Sequence, residues 1–160
     1  MVVNRLVKIM TKKSIYQTIK IRSARPKDLA SIYALGRKTR ELDASNDTVF
    51  FDRGEIEGLI KKPKDNIILV ILAGKKFIGF LVAKIISCEW CMIDSIAVDP
   101  LYRGQGIGNL VLKHLQNILK KRRIRYLQAF VAEEAARSRK FWHQQGFKEG
   151  KKFIWIEKCF

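Results

Sequence analysis

No apolar run in this chain is long enough to span a bilayer. The longest, Ile67 to Ala73, falls far short of the roughly 20 residues a membrane helix takes. Histidine is nearly absent, with only His114 and His143, and cysteine is limited to Cys88, Cys91 and Cys159. A zinc site needs four ligands, and neither histidine lies at ligand spacing from the lone C-x-x-C, so no metal is expected. A thioredoxin-like redox pair would open a helix, whereas Cys88 and Cys91 lead into the β-rich WCMIDSIAV; free thiols in a reducing compartment are the reading. The basic N-terminal MVVNRLVKIMTKK has no long hydrophobic stretch and no small-residue cleavage site. A signal peptide is therefore not expected, and the cytoplasm is the default location.

Acids are the scarcest class relative to their partners. Fifteen Asp and Glu face 32 Lys and Arg, giving a formal net charge of +17, and the first 27 residues hold eight cations and no acid. A second basic cluster, KKRRIR, occupies Lys120 to Arg125. Such a surface attracts polyanions, whether RNA, DNA, an anionic membrane or a phosphorylated cofactor. Cations at a helix C-terminus and solvated lysines account for some of these residues.

With 48% apolar and 10% aromatic residues in a chain of 160, the composition is that of one globular domain rather than a disordered chain. Residues 1–17 read as a basic tail and 18–160 as the domain. TIKIRSA alternates as a strand does, and RPKDLASIYALGRKTRE carries Pro26 and Asp28 at a helix start. RGEIEGLIKKP gives a short helix that Pro63 stops. Three strands follow, NIILVILAG, KKFIGFLVAKIIS and EWCMIDSIAV, joined by turns at Gly74-Lys75 and Ser87–Glu89. A helix with Ile107, Leu110, Val111, Leu115, Ile118 and Leu119 on one side comes next. RYLQAFVA then reads as a strand, EEAARSRKFWHQQ as a helix ended by Gly146, and KFIWIEKCF as a last strand. The order predicts an α/β domain with a mixed, mostly antiparallel central sheet and about four flanking helices.

The segment DPLYRGQGIGNLVLKHL places Gly104, Gly106 and Gly108 at alternate positions before the long helix. Glycine loses the most backbone entropy on folding, so its repeated use needs a reason. Successive bare amides at a helix N-terminus form an anion site, because unpaired N–H groups and the positive dipole end converge there. The mononucleotide loop is excluded, since no Lys-Ser or Lys-Thr follows. The dinucleotide fingerprint is excluded as well: the third glycine comes one residue early, and the region where its acidic ribose partner belongs is Arg-rich.

RGQGIG, Arg103 to Gly108, resembles the [RQ]-x-x-G-x-[GA] pyrophosphate motif of the GNAT N-acetyltransferases. IDSIAVDPLY before it is similar to that family's central strand and exit turn, and FWHQQGF, Phe141 to Phe147, to the end of its last helix. The resemblance covers about Thr18 to Phe160. It implies acetyl transfer from acetyl-coenzyme A to an amine. Backbone amides of Gly104, Gln105, Gly106, Ile107, Gly108 and Asn109 are implied to cradle the pyrophosphate, with Arg103 at its entrance. The strand edge at Ile96, Ala97 and Val98 is implied to pair with the pantetheine arm and to polarise the thioester carbonyl.

A lysine-type amine has a pKa of about 10.4, so on the order of one molecule in a thousand is neutral at pH 7 and a proton must be taken. Relatives often use a Tyr four residues before the terminal Gly-Phe as the acid that meets the leaving thiolate; Trp142 stands there. The Glu and Asn used by other relatives correspond to Phe130 and Ala135. Asp94, an acid inside an apolar strand, is the candidate base, directly or through water; a structural carboxylate paired with a nearby Arg or a backbone N–H is the competing role. Even spacing puts Asp94 on the same face as Ile96 unless a bulge intervenes, and odd spacing puts Cys91, a conceivable acetyl-carrying nucleophile, on the other. Tyr102 is a more distant candidate acid. The acceptor is expected near ELDASNDTVFF and KKFIWIEK, where Glu41, Asp43, Asp47 and Asp52 would attract a cationic amine. Two alternatives stand beside an acetyltransferase for proteins or small amines. One is an RNA- or ribosome-associated module, with or without acetylation of aminoacyl-tRNA; the other is a non-catalytic acyl-coenzyme A sensor.

Overall fold

The longest apolar run becomes a strand covered on both faces. In Asn66–Ala73, which forms β2, Ile67, Leu69 and Ile71 enter one buried cluster and Ile68 and Val70 another. A strand between two layers needs apolar side chains at every position rather than at alternate ones. The computed structural model describes residues 19–39, 42, 51, 54–154, 156 and 158. Around β2 lie β1 (Ile19–Ser23), α1 (Leu29–Gly36), α2 (Glu55–Ile60), β3 (Lys76–Ile85), β4 (Trp90–Val98), α3 (Ile107–Lys121), β5 (Tyr126–Ala129) and α4 (Ala136–Gln144). Short 3-10 turns occupy Pro26–Asp28 and Pro100–Tyr102.

The strands form one sheet in the order β1-β2-β3-β4-β5. All neighbours are antiparallel except β4 and β5, which run parallel. Helix α3 lays Ile107, Val111, Leu112, Leu115 and Leu119 on one face of the sheet, the stripe expected of a 3.6-residue period. Trp142 of α4 joins that layer. On the opposite face Ile32 of α1 and Ile56 of α2 cover Phe80, Val82 and Ala97. This is the mixed, mostly antiparallel α/β architecture expected from the order of elements.

One expected element is not formed among the described residues. Lys151–Ile154 are irregular, and Phe153, Ile154 and Ile156 are 79%, 88% and 88% exposed. Part of KFIWIEKCF lies outside the described residues, as do residues 1–17 and most of ELDASNDTVFF. Alternation supplies the side-chain pattern of a strand, but a strand also needs a neighbour to take its hydrogen bonds. The described part of this segment joins no ladder.

The start of α1 is fixed by charge. Asp28 accepts both Nη groups of Arg22, at 2.7 and 2.8 Å, and the Arg25 N–H at 2.7 Å. The Arg22 guanidinium holds the Asp28 carboxyl below the ordinary carboxylate range. A carboxylate with a depressed folded pKa adds stability above its unfolded value, and that contribution disappears as pH falls through the folded value. Asp28→Ala is expected to lose about 2 kcal/mol at pH 7, because a fork of charge-assisted bonds is broken and Arg22 is stranded. The difference from wild type should shrink below about pH 4. Urea titrations at pH 7 and pH 3 measure both.

Close packing of β3 on β4 depends on Gly79. A Cβ there would lie 2.6 Å from the Ala97 carbonyl oxygen and 3.0 Å from Ile71 Cδ1. Because the nearest obstacle is backbone, Gly79→Ala must push the two strands apart, and it is expected to destabilise by about 1–3 kcal/mol as overpacking does. Thermal unfolding of the variant checks this.

Candidate active site

The sheet forks at its centre. β4 pairs with β5 only from Trp90↔Tyr126 to Ile93↔Ala129. It continues along β3 to Gly79↔Val98, so from Asp94 to Val98 its far edge has no strand partner among the described residues. The Asp99 N–H bonds the Ile78 carbonyl of β3 at 2.8 Å. Backbone polarity alternates along a strand, so the polar groups of Ala97 also point at β3, and those of Ile96 and Val98 point at the open edge. In agreement, the Val98 carbonyl accepts the Arg103 Nε–H at 2.8 Å rather than a group on β3. Of the three residues implied at this edge, Ile96 and Val98 present their amides to it. Ala97 does not: its backbone belongs to the β3 ladder and its side chain to the core beneath α1 and α2.

The chain leaves β4 through Asp99, whose side chain accepts the Leu101 N–H at 2.9 Å, and reaches α3 within a few residues. Gly104 and Gly106 have φ of 74° and 78°, a left-handed region that costs roughly 1–2 kcal/mol for a residue with a Cβ. These two glycines therefore set the path by which the chain turns into the helix. Gly108 serves packing instead. A Cβ there would lie 2.8 Å from the Phe141 ring of α4, so its absence lets α4 close on α3. Gln105 steadies the turn through Nε2 on the Leu101 carbonyl at 3.2 Å. The helical ladder begins at the Leu110 N–H, bonded to the Gly106 carbonyl at 3.2 Å. Ile107, Gly108 and Asn109 lie in the first turn, where the α-helical pattern supplies no acceptor for their N–H groups. No acid stands in that turn, so the dipole end is positive and unneutralised.

Asp94 sits at a bulge. Val82 pairs with Ser95 and Ala83 with Ile93, which leaves Asp94 as the extra residue on β4. A bulge reverses the alternation of faces beyond it. Cys91 and Ile93 accordingly share the α3 side with Ile96 and Val98, and Asp94 turns to the side of α1 and α2. Relative to Ile96, Asp94 and Cys91 thus each face the reverse of what a regular strand gives, while Cys91 stays opposite Asp94 as their odd spacing predicts. Asp94 is also partnered: Lys84 Nζ donates to its Oδ1 at 2.9 Å and the Ser95 hydroxyl to its Oδ2 at 2.9 Å. Lys84 Nζ lies 5.3 Å from the centre of the Phe51 ring. A cleft of about 230 Å³ opens beside this pair, lined by Phe51, Glu55, Gly58, Leu59 and Lys84 among others.

The remaining candidates fall away from the chemistry. Burial raises the Cys91 thiol to about 11, so it holds little thiolate at neutral pH. Trp142 is buried between Phe141 and Phe147, with ring centroids at 5.2 and 4.8 Å, and serves the core. Tyr102 packs on the α3-side core with Lys76 Nζ 5.0 Å from its ring centre. Phe130 is exposed. Among the described residues no group of three or more His, Cys, Asp or Glu side chains is placed to hold a metal ion, and no helix is long and apolar enough to cross a membrane. Phe51 ends the ELDASNDTVFF segment expected near the acceptor, whereas Lys84 and Glu55 were not anticipated. The signal for Lys84 was a cation near the end of the apolar stretch FIGFLVAKI, Phe77 to Ile85, brought opposite the lone acid of WCMIDSIAV by the hairpin.

A forked mixed sheet with a glycine-bounded helix mouth at the fork defines an α/β protein in which an open strand edge leads to a helix N-terminus. The chain belongs to the acetyltransferase (GNAT) family, whose sequence model matches residues 28–147. It is similar to an uncharacterised N-acetyltransferase of Methanocaldococcus jannaschii, 30% identical over 100 residues that cover 57% of this chain and 42% of that protein. It thus spans less than half the length of this curated relative. Among solved structures it is similar in fold to the PaiA N-acetyltransferase of Thermoplasma acidophilum in complex with coenzyme A, with a TM-score of 0.76 and 20% identity, covering 85% of this chain and 93% of that one. It is likewise similar to the ribosomal-protein-S18-alanine N-acetyltransferase of Escherichia coli, with a TM-score of 0.67 and 21% identity, covering 83% and 79%.

Proposed function

We propose that this protein transfers the acetyl group of acetyl-coenzyme A to a primary amine by direct attack in a ternary complex. The observation that carries the reading is the fork: an unpaired β4 edge ending at a helix mouth rich in unsatisfied amides. These features fit the donor. The first-turn amides at Ile107, Gly108 and Asn109, reached through the Gly104–Gly106 turn, would hold its diphosphate, with Arg103 closing the end of β4 beside them. The Ile96 N–H and carbonyl and the Val98 N–H would hold the pantetheine arm as an added strand does, the Val98 carbonyl being taken by Arg103. Acetyl-coenzyme A, when bound, supplies an activated thioester carbonyl. One β4 amide directed at that carbonyl oxygen stabilises the charge that develops on it.

The acceptor belongs on the α1–α2 side, where the cleft and Asp94 lie. Asp94, held in place by Lys84 and Ser95, takes the proton of the attacking amine directly or through water. The M. jannaschii relative is named an N-acetyltransferase and the E. coli neighbour acts on a ribosomal-protein alanine; both support an amine as acceptor.

The reading is tested by calorimetry with coenzyme A at physiological salt, followed by acetyl-coenzyme A turnover on peptide N-termini, lysine peptides, polyamines and charged tRNA. Saturable uptake and multiple turnovers on one class are the expected result. No uptake of coenzyme A overturns the proposal, and uptake with no turnover on any amine leaves a sensor in its place.

A further inference from the structure

At the pole of the molecule opposite the helix mouth, the basic run KKRRIR meets a second basic stretch, KKPK at Lys61 to Lys64. Arg122 donates from Nη1 and Nη2 to the carbonyls of Lys64 and Pro63, at 3.0 and 3.1 Å, tying the α3–β5 loop to the α2–β2 loop. The N–H groups of Arg125 and Tyr126 both bond the Glu89 carbonyl, at 3.1 and 2.9 Å, which adds the β3–β4 turn. Lys62, Lys64, Lys120, Lys121, Arg123 and Arg125 are all exposed there, and none has an acidic partner among the described residues. The three loops carry only Asp65 and Glu89 as acids. The α3 dipole accounts for Lys120 and Lys121 at its C-terminus, but not for the others.

Two further observations set this pole apart from a merely solvated surface. Arg123 has φ of 61°, just past the end of α3, in the left-handed position that glycine ordinarily takes. A side chain kept in a strained conformation points to a use for that side chain. Beside it Tyr126 is 60% exposed, its ring packed edge-on against Trp90 with centroids 6.3 Å apart. An exposed ring supported from one side and surrounded by cations is the arrangement that takes an unstacked base along with its flanking phosphates.

We propose that this pole docks single-stranded RNA, with phosphates on the six cations and a base on Tyr126. A duplex keeps its bases stacked and offers the ring nothing, whereas RNA loops present unpaired bases. The surface is distinct from the acetyl-donor site, since the 15 residues of α3 separate the two by about 20 Å at 1.5 Å per residue.

The test uses the full chain and a labelled mixed-sequence RNA strand of about 16 nucleotides, the upper range for one such binding surface, followed by anisotropy over a salt series. Six phosphate contacts predict a log–log salt slope of about −4. Lys121→Ala/Arg123→Gly/Arg125→Ala should flatten that slope by about 2 and weaken binding at least tenfold. Tyr126→Ala should weaken it about tenfold with the slope unchanged. Coenzyme A uptake should remain at the wild-type level in both, which serves as the control for folding. Arg123→Gly alone should raise the melting temperature by about 2–4 °C as strain is relieved, yet reduce RNA affinity. A stability gain without any loss of affinity overturns the role of Arg123 and, with it, the proposal. Wild-type affinity in the triple variant, or no RNA binding at all, does the same. So does equal or tighter binding of a matched DNA strand, a matched duplex or anionic phospholipid vesicles.

Discussion

Gly106→Val is expected to lose coenzyme A affinity by about 100-fold or more while unfolding only slightly more easily than wild type. Gly106 sits at φ 78° immediately before α3, and a β-branched residue forced into that region costs roughly 1–2 kcal/mol. Relieving that strain by rotating the peptide would redirect the helix-mouth amides away from the proposed diphosphate position. Loss of two charge-assisted bonds to a diphosphate, at about 1.5–3 kcal/mol each, corresponds to two or more orders of magnitude in affinity. Calorimetry with coenzyme A and thermal unfolding, run on the same preparation, separate the two effects. A variant that binds as wild type does would show that the helix mouth is not where the diphosphate is held.

Asp94→Asn should lower turnover by about 10²- to 10⁴-fold, the range for removing a positioned base, with coenzyme A affinity unchanged. The replacement keeps the shape of the side chain and an oxygen to accept from Lys84, with the Ser95 hydroxyl turning to accept from the new amide N–H, but removes the charge that accepts the proton. The pair is partly exposed, with side chains 32% and 21% accessible, so the stability change should stay within about 1 kcal/mol. The contrast of kcat with coenzyme A affinity distinguishes a base from a structural carboxylate, which would affect stability before rate. Unchanged turnover would remove Asp94 from the mechanism and leave the family assignment intact.

Much of the architecture was legible in the chain because it rests on local chemistry. The doubly buried strand β2 shows as an unbroken apolar run, and α3 as a stripe of 3.6-residue period between a glycine turn and a basic end. The helix mouth was legible for the same reason: positive φ and open amides are properties of a short segment, and glycine at 104 and 106 announces them. Glycine 108 looked like a member of the same set. Only the packing of α4 against α3 shows that it makes room for Phe141.

The facing of Asp94 was not legible. One extra residue on β4 changes which side of the sheet it serves, and nothing within WCMIDSIAV marks that residue as unpaired; the register with β3 does. The same register brings Lys84 to Asp94 across the hairpin and places Cys91 among core residues. The open edge at Ile96 and Val98 exists because β5 pairs with β4 for four residues and then stops, a fact about two strands that neither sequence contains alone. The joining of KKPK and KKRRIR into one basic pole likewise depends on a single arginine reaching two carbonyls in a distant loop.

Side-chain period, glycine conformation and composition, all local properties of the chain, were enough to set the fold class, the left-handed glycine turn into α3 and the excess of positive charge. The tertiary structure decided which face of the sheet carries the candidate base, which strand amides are open and where the cations collect, because each is set by pairings between segments far apart in the chain.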